Sequence, residues 1–131
     1  MASIFTKIVN GEIPAYKVAE TEEFLAFLDV FPLVKGHTLV IPKMEIDYIL
    51  DLEDSLYLRL WSFSKKVAKA IETAVPCQRI GIAVIGLEVP HTHIHLVPLN
   101  SVGDINFSRP KLKFSEAEMK ETAEKIAAEF K

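Results

Sequence analysis

The chain has 131 residues, half of them hydrophobic and a quarter charged, with a formal net charge of −3. That balance suits a single folded domain over residues 1–131 and disfavours a non-specific nucleic-acid binder, which needs a basic face and usually a basic pI. No apolar run nears the ~20 residues that span a bilayer, the start of the chain lacks a secretory pattern, and one cysteine, Cys77, permits no internal disulfide. A protein of the reducing cytoplasm, without membrane attachment, is expected.

In chain order, Ile4, Phe5, Ile8 and Val9 have helical spacing behind Ser3, a possible N-cap. Asn10-Gly11 ends this short helix. Tyr16 to Glu20 reads as a first strand, Thr21-Glu22-Glu23 as a turn and Phe24 to Val30 as a second, mostly apolar strand. Pro32 and Gly36 bracket a loop. Thr38 to Ile41 is a third strand that Pro42 ends, and Ile46 to Leu50 suggests one helical turn. The main helix begins at Asp51 or at Glu53-Asp54. Leu56, Leu60, Phe63, Val67, Ala70 and Ala74 form its apolar stripe, Lys65, Lys66 and Lys69 its wet side, and Pro76 marks its end. Tyr57 and Trp61 on it belong to a core or an interface.

Arg79 to Ile85 reads as a fourth strand, apolar enough to bury both faces, and Gly86-Leu87-Glu88 as a turn. Val89 to Leu99 is the fifth strand. The tail stays polar until Phe114. Ser115 to Glu118 then forms a capping box ahead of a closing helix with Met119, Ala123, Ile126 and Phe130 on one stripe. Short connections favour antiparallel pairing and an α+β fold, with a core over about 3–100 and a tail and helix over 101–131. Half-hydrophobic content is generous for one small core, which points to a further buried surface such as a dimer interface.

Three of the four histidines fall within five residues: His91, His93 and His95. Alternate residues of a strand share a face, so the three form a row about 13 Å long at ~3.3 Å per residue. Thr92, Ile94 and Leu96 face the other way. Imidazole serves as nucleophile, acid, base or ligand near neutral pH. The row also reads as a solvated polar face, or as half of a metal site that a carboxylate or thiolate would complete.

His91 to Val97 resembles the His-φ-His-φ-His-φ-φ signature of the histidine triad family of nucleotide-binding hydrolases. Ile4 to Pro14, Phe24 to Val30 and His37 to Lys43 resemble three further family segments in the same order. The resemblance implies a five-stranded antiparallel sheet with a main helix, a short N-terminal helix and a C-terminal helix, the sheet continuing across a homodimer. It implies that His93 attacks the phosphorus of a nucleotide, that the carbonyl of His91 fixes its tautomer, that protonated His95 aids the leaving group, and that His37 supports the triad. Phe5, Ile13, Phe27, Val30 and Leu39 would line a slot for a purine base, Asp29 would take the ribose hydroxyls, and amides near Gly86, Glu88 and Val89 would meet the phosphate. No metal and no cofactor are expected.

The same resemblance implies release of a nucleoside monophosphate, AMP first, from a phosphoramidate or related conjugate. Dinucleoside polyphosphate hydrolysis and non-catalytic nucleotide binding are the rival readings. Some features depart from the family pattern. Thr92 replaces an apolar residue, Glu88 stands where relatives often carry a hydroxyl, the residues before Gly86 lack an amide side chain, and Leu99-Asn100 follows Pro98 where many relatives have an arginine.

Overall fold

The computed structural model describes residues 2–131. Helix α1 (Ile4–Val9) is capped by the Ser3 side chain, which accepts from the Thr6 N–H. Strands β1 (Lys17–Glu20), β2 (Phe24–Leu28) and β3 (Thr38–Pro42) follow, then a 3-10 turn (Ile49–Asp51) and the long helix α2 (Asp54–Ala74). Strands β4 (Arg79–Ala83) and β5 (Ile94–Leu99) precede a second 3-10 turn (Val102–Ile105) and helix α3 (Glu116–Glu129). The five strands form one sheet in the order β1-β2-β3-β5-β4, every pair antiparallel. This is the expected α+β architecture.

Both faces of the sheet are covered, because strand residues alternate in direction. Phe24, Ala26 and Leu28 of β2, Val40 of β3, and Ile94 and Leu96 of β5 pack against Leu56, Leu60, Phe63 and Val67 of α2 and Met119, Ala123 and Ile126 of α3. Leu25, Phe27, Leu39 and Ile41 project to the opposite face and meet Phe5 and Ile8 of α1. In α3 the Ser115–Glu118 capping box forms as the sequence predicts. No helix among the described residues is long and apolar enough to cross a membrane.

Four strands are shorter than their sequences suggest: β1 starts at Lys17 rather than Tyr16, β2 ends at Leu28 rather than Val30, and β4 and β5 are cut short as well. β5 starts at Ile94 rather than Val89, because residues 91–93 bond elsewhere: the Thr92 N–H and hydroxyl both donate to the Ile46 carbonyl at 2.7 Å. β4 therefore has no partner past Ala83, which lies opposite His95. β4 is also a sheet edge, so its apolar run is not buried on both faces within one chain; Ile82 is 51% exposed.

Candidate active site

The triad is built from two elements. His95 sits within β5 opposite Leu39 of β3, and His91 and His93 lie in the extended segment just before it. All three are buried, at 0%, 8% and 8% exposure. The rings of His93 and His95 are 5.1 Å apart, and Phe5 of α1 lies edge-on to His91 at 5.8 Å and His93 at 5.0 Å. The row survives, although only its last member is in a regular strand.

The hydrogen bonds assign the ring protons. His93 Nδ1 lies 2.7 Å from the carbonyl oxygen of His91. A carbonyl only accepts, so Nδ1 carries the proton and Nε2 keeps its lone pair. His91 donates through Nε2 to the Pro42 carbonyl at 2.8 Å, and its Nδ1 accepts from the Ser3 hydroxyl at 2.7 Å. His91 thus has both nitrogens engaged in holding α1 and the end of β3 together. Burial pushes its pKa below the usual histidine range, against the pull of the Pro42 carbonyl.

His37 is delivered by a turn at Gly36, whose φ of +92° favours glycine. The Leu33 N–H donates to His37 Nδ1 at 3.0 Å. The proton of the neutral ring is therefore on Nε2, which lies 2.9 Å from His95 Nδ1 and donates to it. His95 must then carry its own proton on Nε2, on the edge away from His37. One backbone amide, relayed through one buried imidazole, makes His95 a donor. Burial lowers His37 to about 4 and His95 to about 3, and the positive charges of their neighbours add to the effect. The free site therefore holds His95 neutral. It donates through a neutral N–H, and an arriving phosphate, being anionic, would raise its pKa.

These lowered values have a consequence for stability. The unfolded chain takes up protons near the ordinary 6.5 while native His37 and His95 refuse them until about 4 and about 3. Their contribution is complete above pH 6.5 and is lost as pH falls below it. For His37 alone the loss by pH 4 is ~3 kcal/mol, at 1.36 kcal/mol per unit. Asp29, held above its ordinary range chiefly by burial, works in the opposite sense and offsets part of this. The urea midpoint should fall between pH 6.5 and pH 4, and His37→Gln should flatten that dependence; an unchanged midpoint in the wild type would contradict the assignment.

Asp29 follows β2. Its Oδ1 accepts from the Phe31 N–H at 2.8 Å, and Oδ2 lies 3.7 Å from His37 Nε2. Asp29, His37 and His95 each bring a potential ligand atom within 4.8 Å of the others. That spacing suits a metal, but the bonding does not. A metal would need the Nε2 lone pair of His37, and the displaced proton at Nδ1 would then face the Leu33 N–H, donor against donor.

The predicted base-slot residues mostly converge. Phe5, Phe27 and Leu39 are buried in one cluster with partly buried Ile13 and Val89 packed against it, and the rings of Phe5 and Phe27 meet edge-on at 5.6 Å. Val30 is half exposed and outside that cluster. Glu88 is exposed, and Gly86 (φ +74°) has open space around it.

Two groups escape sequence reasoning. Glu45 Oε1 accepts from the Ser3 N–H and the Thr6 hydroxyl, both at 2.6 Å, fastening α1 to the chain beyond β3. Phe107, from the polar tail, lies edge-on to His95 at 4.7 Å and to His37 at 6.2 Å. Phe107 is the one aromatic between Pro98 and Phe114, which is the only sequence signal for it.

The HIT domain family model matches residues 10–102. An adenosine 5′-monophosphoramidase of Schizosaccharomyces pombe is 38% identical over the full length of both chains. An uncharacterized HIT-like protein of Borreliella burgdorferi is 37% identical over 95% of each. Among solved structures, a HIT-like protein from Bartonella henselae involved in cell-cycle regulation superposes with a TM-score of 0.85 at 28% identity, covering 97% of this chain and 95% of that one. Triad, sheet and family match agree: the chain belongs to the HIT family.

Proposed function

We propose that the protein hydrolyses a nucleoside phosphoramidate or related nucleotide conjugate through a nucleotidyl-histidine intermediate, releasing a nucleoside monophosphate, AMP in the first instance. The observation that carries this reading is the tautomer of His93. With Nδ1–H held by the His91 carbonyl, its Nε2 lone pair is the free nucleophile, and a neutral imidazole meets an anionic phosphorus centre without charge repulsion. Attack forms the Nε2–P bond and breaks the P–N bond. The leaving nitrogen takes one proton from solvent, and the water that later cleaves Nε2–P returns one. His95 donates its N–H to the phosphate as charge develops there. The S. pombe relative carries the same activity in its name. AMP release from adenosine 5′-phosphoramidate tests the reading; AMP binding without release would reduce the protein to a binding module.

Asp29 is the proposed ribose anchor, having one oxygen tied to the Phe31 amide and the other without a bond at hydrogen-bonding distance. Asp29→Asn should weaken AMP binding by about tenfold or more, since a hydrogen bond to a charged group contributes about 1.5–3 kcal/mol. Binding of 2′,3′-dideoxy-AMP should change far less. Equal weakening of both ligands in a calorimetric titration would make Asp29 structural.

The same reading includes a symmetric homodimer built on β4 and α2. Ile82, Val84, Ile85 and Leu87 are exposed on and just after the edge strand, as is Leu58 on α2. Trp61, packed edge-on to Tyr57 at 6.2 Å, has a buried indole N–H with no partner among the described residues. A second copy would cover this apolar surface and complete the unpaired edge.

A further inference from the structure

The connection between β5 and α3 crosses the site. After its 3-10 turn the chain sets Phe107 against His95 and His37, and the Leu112 N–H then donates to the Pro32 carbonyl at 2.8 Å, tying this strap to the loop that holds Asp29 and His37. Lys111 lies between these two attachments. Its Nζ donates to the Phe107 carbonyl at 2.7 Å and more weakly to that of Arg109 at 3.4 Å, and it sits 5.9 Å from the centre of the Phe107 ring. Lys111 is exposed, and Phe107 lies against both its ammonium and the imidazole of His95. Burial and nearer neighbours dominate the titration of Asp29 and His95, and burial that of His37, but among the described residues Lys111 is the one lysine or arginine whose charge bears on all three. The chain has Leu99-Asn100 after Pro98, so the strap brings back a cation that the end of β5 does not provide.

We infer that Lys111 is a specificity-determining residue: its ammonium exchanges the Phe107 carbonyl for an anionic group beyond the α-phosphate, so the site favours nucleotides whose leaving side carries its own negative charge. The placement argues for that side. Phe5 and the base slot lie against His91 and His93, at the opposite end of the row from Phe107. A group that leaves the α-phosphate on the side away from the base slot heads toward Phe107, whose carbonyl and ring hold Nζ. The anion would be the phosphate of a second nucleotide or the carboxylate of an amino acid bound through nitrogen.

This inference rests on the proposed nucleotide site, and its test does not need turnover. Calorimetry on the full chain would compare AMP with ADP, which adds one phosphate. Lys111→Met is expected to weaken ADP at least tenfold more than AMP, and Lys111→Arg to retain the preference. Equal weakening of both ligands would move Lys111 to the shared α-phosphate, and no weakening would leave it as a clasp of the strap; either result overturns the inference. In parallel, Lys111→Met should depress kcat/KM for the glycine phosphoramidate of AMP more than for the ammonia phosphoramidate if carboxylates are read, and alike for both if only phosphates are. Absence of hydrolysis by the wild type would count against the enzyme reading alone, since the ADP-to-AMP ratio would still decide Lys111.

Discussion

Replacing His93 with alanine is expected to lower turnover of adenosine 5′-phosphoramidate at least about a thousandfold, the scale set by removing a covalent nucleophile elsewhere. AMP affinity should change by less than about fivefold. The separation follows from the geometry. The lone pair of Nε2 is what His93 brings to the reaction, whereas the base slot of Phe5, Phe27 and Leu39 and the carboxylate of Asp29 come from α1, β2, β3 and the residue after β2. His91 O, which accepts the His93 proton, belongs to a residue fixed independently by Pro42 and Ser3, so truncation leaves the neighbouring framework in place. Phe5 loses an edge contact at 5.0 Å, which accounts for the small affinity change allowed. Initial rates and calorimetry check the two halves separately. Turnover within tenfold of wild type would remove His93 from the nucleophile's role.

Ile82→Glu is expected to turn a dimer into a folded monomer. Ile82 is 51% exposed in the single chain and lies on the edge strand opposite Leu96, so a carboxylate there meets water when the chain is alone. In a two-fold interface the same substitution strikes twice and places two like charges near one axis. Each 1.4 kcal/mol of that penalty is a factor of ten in the dissociation constant, and a weakening of about a hundredfold or more is expected. Light scattering at micromolar concentration should give twice the chain mass for the wild type and once for the variant, with unchanged far-ultraviolet circular dichroism. A monomeric wild type would refute the dimer, and an unfolded variant would show that Ile82 supports the single chain.

The sequence made the fold legible wherever one local signal decided an element. The apolar stripe of α2, the Ser115 capping box and the short apolar runs of β2 and β3 between turn residues each contain their own evidence, because period, cap and turn are properties of neighbouring residues. The limits of β4 and β5 were not local. Val84 and Ile85 are as strand-like as Ile82, but they lose their partner where Thr92 turns to Ile46, a contact between distant segments. The site divides in the same way. The histidine row, His37, Asp29 and the base-slot aromatics carry motif-level signals. Glu45, Phe107 and Lys111 do not, since each acts only after the chain has returned to β3, β5 or the loop before β3. Which nitrogen of His95 carries its proton is invisible in the sequence for a related reason: it depends on a Leu33 amide acting through His37, and no pattern of side chains reveals where a backbone N–H will point.

The clasp of Glu45 on Ser3 and Thr6 bears on how tightly any nucleotide can be held. A helix of six residues is not stable by its own propensity, so α1 keeps its position through Glu45, through the Ser3 hydroxyl on His91, and through Phe5 and Ile8. Phe5, Phe27 and Leu39 are each less than a tenth exposed, so in the proposed base slot a purine that lies between them would have to part α1 from β2 and β3. The measured affinity is then the intrinsic affinity multiplied by the fraction of molecules in which α1 has yielded. Strengthening the clasp would make the fold more stable and the ligand weaker, and the two cannot be improved together by changes at Glu45.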